Sequence, residues 1–184
     1  MEGHPQPGEH RSAWRSPAAI AVFLGVAAAA LAGDLLSKHY VFGDILNDQA
    51  SIRSARELRD SINARSSVED YPPRAMLHAL PSREVFSGVK FTLSTNPGVV
   101  FGLRVPRTIV AVATVLTLGL VTFFFARGPA NCWVAHVALA LILGGALGNL
   151  YDRLFSAVRV PIDGVETIRY QVRDFIDCSD LYYP

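Results

Sequence analysis

The sequence is short of cysteine and of net charge. Its two cysteines, Cys132 and Cys178, are spaced for neither a metal site nor a disulfide framework, so we expect both to be free thiols. The chain has 17 Lys and Arg residues against 16 Asp and Glu residues, which is a formal net charge of +1. A charge so nearly balanced gives no reason to expect a nucleic acid as a partner.

Apolar sequence is what the chain has in abundance. Hydrophobic residues make up 51% of its 184 residues, and the mean hydropathy is +0.28. They cluster in three segments, which predict membrane-spanning helices at about 17–36, 108–126 and 132–150. We therefore predict a membrane α-helical bundle that carries a soluble insert.

The first apolar segment has a second interpretation. Arg11 and Arg15 precede it, and Ala30-Leu31-Ala32 is similar to a cleavage site, which together are typical of a secretory signal peptide. The chain would then be a secreted or singly anchored protein. The apolar stretch is long for a signal peptide and other spans follow it, so a retained helix is favoured.

The distribution of basic residues predicts the orientation. Arg11 and Arg15 flank the first span, and Arg127 lies in the short turn between the second and third, which places these sites on the cytoplasmic side. Residues 1–16 are then a cytoplasmic tail, and residues 17–184 form a single membrane domain. Its outer parts are the insert 37–107 and the C-terminal segment 151–184.

The outer insert divides into two kinds of sequence. Residues 44–69 are polar with scattered apolar positions, which predicts one or two surface helices. Residues 85–103 are rich in Val, Phe and Thr with turn signals at Gly88 and at 96–98, which predicts a small β-sheet. Further strand-like pieces lie at 158–161 and 167–172.

Polar side chains are predicted to gather where the spans meet the outer surface. Asn149, Asp152 and Arg153 share one helix face because they are spaced i, i+3 and i+4. Ionisable groups at a membrane boundary are costly unless paired, and so they are candidates for a functional site. The full predicted set is Asp34, Lys38, Asn96, Asn149, Asp152, Arg153 and Asp174.

Most of these residues also have a purely structural interpretation. Asp34 and Lys38 are spaced as a helical surface ion pair, and Asn96 begins a turn. Gly144 and Gly148 form a small-xxx-small pattern that favours close helix packing. We interpret His136, inside the third span, as a neutral interfacial histidine rather than a catalytic one.

Asp174 is the most informative single residue. It lies between strand-like sequence and Phe175-Ile176, so we expect its carboxyl group to be partly desolvated and its pKa raised. Two carboxyl groups that share a proton can activate water and protonate a leaving amine. Asp152 is a candidate second carboxyl, but its neighbour Arg153 would hold it ionised.

Four stretches carry a resemblance to a known family. DLLSK (34–38), NPGVVFGL (96–103), GGALGNLYDRL (144–154) and VRDFID (172–177) together resemble bacterial lipoprotein signal peptidase, also called signal peptidase II. The resemblance implies four membrane helices with an outer β-cradle. It implies a metal-free aspartyl endopeptidase without cofactors, located in the bacterial inner membrane with its active site on the outer face. The implied partners are prolipoprotein substrates modified with diacylglycerol, and membrane lipid.

The resemblance also assigns roles to residues. Asp174 matches one of two catalytic aspartates. Asn149, Asp152 and Arg153 match the polar cluster that supports the pair and the substrate. Asn96 and Gly98 match an N-x-G element beside the substrate, and Asp34 and Lys38 match a pair that braces the first helix.

Three departures from the family pattern stand out. Val99-Val100 replaces smaller residues, and the segment between Asp152 and Asp174 is longer than usual. The family's F-N-x-A-D stretch, which holds the second catalytic aspartate and opens the fourth helix, has no counterpart here. The resemblance thus implies a truncated member with three spans and doubtful activity. The alternative is an inactive homologue, or a membrane scaffold that binds lipidated peptides without cutting them.

Overall fold

The computed structural model describes residues 12–63, 73–97, 107–160 and 167–182. A 3-10 turn, Ala13–Arg15, precedes the first long helix. The helices are α1 (Pro17–Asn47), α2 (Gln49–Asn63), α3 (Pro73–His78), α4 (Arg107–Arg127), α5 (Trp133–Phe155) and α6 (Ser179–Tyr182). The strands are β1 (Arg83–Phe86), β2 (Val89–Asn96), β3 (Ala157–Val158), β4 (Ile168–Arg169) and β5 (Val172–Asp177).

Three of the described helices, α1, α4 and α5, are long and apolar enough to cross a membrane. The predicted membrane helical bundle with a small β-sheet is therefore confirmed. Helix α1 continues beyond the predicted first span to Asn47, and α5 continues beyond the predicted third span to Phe155. Apolar side chains explain the extension of α1, because Phe42 and Ile45 in the added turns are buried.

The chain divides into two compact units. Unit 1 comprises Met1–Asp34 and Ala111–Gly148, and unit 2 comprises Leu35–Val110 and Asn149–Pro184. Unit 1 is helical, and its core is small and aromatic side chains, with Phe23 and Phe125 stacked at 4.0 Å between ring centroids. Its remaining apolar surface suits lipid.

Glycine lets α1 and α5 approach closely within unit 1. A Cβ atom added at Gly144 would lie 2.6 Å from Ala30 Cβ and 2.8 Å from the Ala27 carbonyl oxygen. A Cβ atom at Gly148 would collide with the Asp34 carboxylate. The packing role predicted for Gly144 and Gly148 is confirmed.

His136 is a second notable feature of unit 1. Only 1% of its surface is exposed, and its ring packs edge-on against Phe125 and Trp133 at centroid distances of 5.2 and 5.7 Å. Neither ring nitrogen has a hydrogen-bond partner among the described residues. The histidine that we placed at an interface is thus enclosed by aromatic side chains.

Unit 2 contains an antiparallel sheet in the order β1-β2-β5 and a separate two-stranded pair, β3-β4. A tight turn joins β1 to β2, and Gly88 adopts φ +82° there, a conformation that glycine accepts without steric cost. The predicted β-ribbon is confirmed for the described residues, whereas its part at 98–103 lies outside them. The described strands near 158–161 and 167–172 are only two residues long.

Helix α2 confirms the surface helix expected within 44–69. Asp48 caps its start, since Asp48 Oδ2 accepts a hydrogen bond from the Ser51 amide at 3.2 Å. One face buries Ser51 and Ala55, while Arg53 and Arg56 are exposed. Residues 64–72 lie outside the described part of the chain.

Candidate active site

A buried ionic cluster lies at the start of the C-terminal part of unit 2. Asp152 on α5 is 0% exposed and Lys38 on α1 is 4% exposed. Lys38 Nζ lies 3.1 Å from Asp152 Oδ2 and donates a hydrogen bond to Asn149 Oδ1 at 3.3 Å. A carboxylate removed from water in this way needs cations and donors around it.

Strand β5 supplies the rest of the cluster through Arg173. Its backbone amide donates to Asp152 Oδ2 at 3.1 Å, and its Nε donates to Asp152 Oδ1 at 2.8 Å. Its Nη2 lies 2.7 Å from the same Oδ1. These short, charge-assisted contacts fasten β5 to α5. We call Lys38, Asn149, Asp152 and Arg173 the Asp152 cluster.

Arg153 follows Asp152 on α5. Its Nη1 donates to the carbonyl oxygen of Asn149 at 3.5 Å, and it is half-buried. It lies within electrostatic range of both Asp174 and Asp152. The short contacts to Asp152 described above come from Arg173 and Lys38, and the pairing of Arg153 with Asp152 stays a prediction.

Asp174 follows Arg173 on the same strand, and neighbouring side chains on a strand point to opposite faces. Asp174 is exposed, so the expected desolvation of its carboxyl group is wrong. It lines a cavity of about 260 Å³, which we call the β5 cavity. The cavity is lined by His78, Thr92, Ser94, Asp174, Phe175, Ile176, Asp177 and Cys178.

The wall of the β5 cavity is built by pairing of β2 with β5. Ser94 is the register partner of Asp174, and the register shifts between Phe91 and Ser94. Such a bulge re-aims the side chains around it, and bulges are common beside active sites. His78, at the end of α3, lies with Nε2 3.4 Å from Ser94 Oγ.

The remaining predicted site residues fall in different places. Asn96 is half-buried on β2, opposite Val172 on β5. Asp34 belongs to unit 1, where its carboxylate abuts Gly148. Gly98 lies outside the described residues. Both cysteines are free, as predicted, with Cys132 exposed and Cys178 half-buried.

Sequence reasoning missed two residues of this region. Arg173 had a usable signal, since strand alternation places it on the same face as the partly buried Phe175. A cation on the packed face of a strand needs a buried anion, and Asp152 was the available one. His78 had no such signal, because its position depends on how α3 packs beside β2.

With this geometry established, the chain can be compared with known proteins. A family model described as signal peptidase (SPase) II matches residues 26–184. The chain belongs to this family. The matched region includes DLLSK, the G-N-x-x-D-R stretch and V-R-D-F. These segments supply the residues of the Asp152 cluster and Asp174 of the β5 cavity.

Individual relatives agree with this assignment. The lipoprotein signal peptidase of Desulfitobacterium hafniense is 44% identical over 66 residues, 35% of this chain and 43% of the relative. That of Aquifex aeolicus is 37% identical over 111 residues, 55% of this chain and 56% of the relative. The chain thus spans about half the length of the curated relatives it matches. No solved structure gives a significant match.

Family membership and the three apolar helices indicate a multi-pass protein of the inner membrane. The β5 cavity and the Asp152 cluster belong to unit 2, which holds the sheet and the three shorter helices. Unit 2 is therefore where the chemistry of this family member should be sought.

Proposed function

We propose that this protein is an aspartic-type endopeptidase that removes signal peptides from diacylglyceryl-modified prolipoproteins. The observation that carries the proposal is the placement of Asp174. It is exposed in a cavity, on a strand that three short contacts tie to a buried carboxylate. A reactive group needs this combination of access and fixed position.

The proposed chemistry uses Asp174 as one member of a carboxyl pair. Its carboxylate accepts a proton from the attacking water, while a protonated carboxylic acid polarises the scissile carbonyl. That acid then gives its proton to the leaving amine. The bond broken is the peptide bond that precedes the lipid-modified cysteine.

Other residues support this reaction without carrying it. The Asp152 cluster holds β5, and Arg153 places a positive charge near the Asp174 carboxylate. We assign Asn96 and Gly98 to substrate contact and Asp34 and Lys38 to bracing of α1. Substrates and membrane lipid would meet this site at the outer face of the inner membrane.

The test is cleavage of a lipid-modified precursor by the protein expressed from its complete reading frame. Asp174→Asn should abolish cleavage while leaving membrane insertion intact. Asp180→Asn is the matched control, because Asp180 is an exposed acid that pairs with Lys90 at 2.8 Å. Retained cleavage by Asp174→Asn would refute the proposal. Binding of precursor without cleavage by the unmodified protein would favour a non-enzymatic scaffold.

The proposed mechanism requires no metal. A chelator should therefore leave the cleavage rate unchanged in the same assay. Inhibition by the chelator that added zinc reverses would contradict an aspartic mechanism and favour a metalloenzyme.

A further inference from the structure

The β5 cavity is too small and too polar for the lipid part of a precursor. Its volume of about 260 Å³ is below the roughly 300–1,000 Å³ of pockets that take drug-sized ligands. Hydroxyl, imidazole and carboxylate groups face it, and covering such polar groups with acyl chains is unfavourable. A short piece of peptide is the class of ligand that fits.

The charges around the cavity distinguish the two ends that cleavage would create. Asp174 and Asp177 both line it, and no Lys or Arg is among its described lining residues. Asp177 Oδ1 accepts a hydrogen bond from the Ser179 amide at 2.9 Å, and Oδ2 accepts one from Thr92 at 3.4 Å. The Ser179 contacts lower the pKa of Asp177, so this carboxylate remains ionised at neutral pH.

Hydrolysis of a peptide bond leaves a carboxylate on one product and an amine on the other. At neutral pH the α-carboxyl group is fully ionised and the α-amino group is mostly protonated. The Asp177 carboxylate in the cavity wall repels the first product end and attracts the second. The amine end also brings N–H donors, for which the carboxylate, hydroxyl and imidazole groups of the wall are acceptors.

We propose that the β5 cavity binds the newly formed amino group and adjoining backbone of the amine-side product, whose lipid lies outside the cavity, with Asp177 and His78 as contacts. The proposal rests on the proposed function, since it assumes that hydrolysis occurs at Asp174. It adds a product subsite and two residues to that reaction. Ser94 positions His78 at the cavity wall through the 3.4 Å contact.

The reactivity of Cys178 can report whether a ligand occupies the β5 cavity. Cys178 lines the cavity, whereas Cys132 belongs to unit 1 and is exposed. Alkylation of the two thiols by a maleimide can be followed separately by mass spectrometry. A ligand in the β5 cavity should slow labelling of Cys178 and leave labelling of Cys132 unchanged.

The probes are two short peptides that begin with an S-alkylated cysteine, one with a free amine and one N-acetylated. At pH 7 the peptide with the free amine should protect Cys178 at a roughly three- to fivefold lower concentration than the N-acetylated peptide. This is the gain in affinity expected for one solvent-accessible ion pair. Asp177→Asn should remove this preference, and His78→Ala should weaken protection by both peptides. His39→Ala, an exposed histidine on α1 outside the cavity, is the control.

Equal protection by both peptides, or none, would overturn the inference. So would stronger protection by a peptide that ends in the signal-side carboxylate. The readout is binding, so its failure differs from failure of the proposed function. Cleavage retained by Asp174→Asn refutes the mechanism, whereas an active enzyme without selective protection of Cys178 refutes only the product subsite.

Discussion

The two units of the molecule are specified by opposite means. Unit 1 is built from helices whose contacts are small residues and aromatic rings, with Gly144 allowing backbone contact. Unit 2 also has an apolar core, yet it encloses the Asp152 carboxyl group with two basic side chains against it. In unit 1 shape selects the packing, and in unit 2 charge also does so.

This difference explains where a reactive group can be placed. Contacts between small and aromatic side chains offer little directional interaction to orient a carboxyl group. The Asp152 cluster does so, because its contacts have short lengths and defined directions. The strand that bears Asp174 is held by the polar unit, and the apolar unit carries one buried imidazole without a partner among the described residues.

Removing the buried anion should have the largest effect. Asp152→Asn removes the negative charge beside the buried Lys38 and the half-buried Arg173, which should lower the free energy of unfolding by about 3–5 kcal/mol. Denaturant unfolding in detergent micelles measures this change. Asp60→Asn is the control, since Asp60 pairs with Arg59 at an exposed position and should cost less than about 1 kcal/mol. Equal effects would mean that the cluster contributes no more than a surface pair.

A substitution of intermediate effect tests shape in unit 1. Gly144→Ala places a methyl group against Ala27 and Ala30 and should lower the free energy of unfolding by about 1–3 kcal/mol. Gly145→Ala on the same helix meets nothing within 4 Å, so it should be neutral or slightly stabilising. If both variants change the free energy of unfolding equally, α1 and α5 do not approach each other as closely as described.

A substitution at His136 tests whether polar contacts matter in unit 1. His136→Leu removes a buried imidazole that lacks partners among the described residues, so the free energy of unfolding should stay constant or rise by about 1 kcal/mol. Thermal unfolding in detergent measures it. A marked loss of stability would show that the ring makes a polar contact and that the contrast between the units is weaker than stated.

The smallest effect concerns pH in unit 2. The folded state lowers the pKa of Asp177, chiefly through the Ser179 amide, so Asp177 stabilises the protein above its unfolded pKa of about 3.9. This contribution is lost as the pH falls through the lower folded value. The stability gap between the unmodified protein and Asp177→Asn should therefore shrink on acidification from pH 7. A gap that grows on acidification would mean that folding raises the pKa of Asp177 instead of lowering it.

Sequence patterns anticipated the spans because lipid imposes a length and a composition on any crossing helix. They anticipated the glycine packing and the β-ribbon for similar local reasons. They did not show that α1 continues to Asn47, since nothing local to residues 37–47 shows that Phe42 and Ile45 enter the core of unit 2. Long-range packing decided that boundary.

The sequence predicted which residues lie in the candidate site better than it predicted which of them contact each other. The sequence brought Lys38, Asn149 and Asp152 together correctly, since the structure joins them by short contacts. It did not include Arg173, which makes close contacts to Asp152. The contact of Arg173 with Asp152 depends on where β5 lies beside α5, which no local sequence pattern specifies.

The most direct test of the central claim is the turnover rate of Arg173 variants. The claim is that Arg173 and Asp152 hold the strand that presents Asp174. Arg173→Met keeps much of the apolar stem but loses the side-chain contacts to Asp152, so kcat should fall on the order of 10²-fold with KM little changed. Arg173→Lys, which keeps the charge, should recover part of the rate. A folded Arg173→Met variant with unaltered kcat would contradict the account.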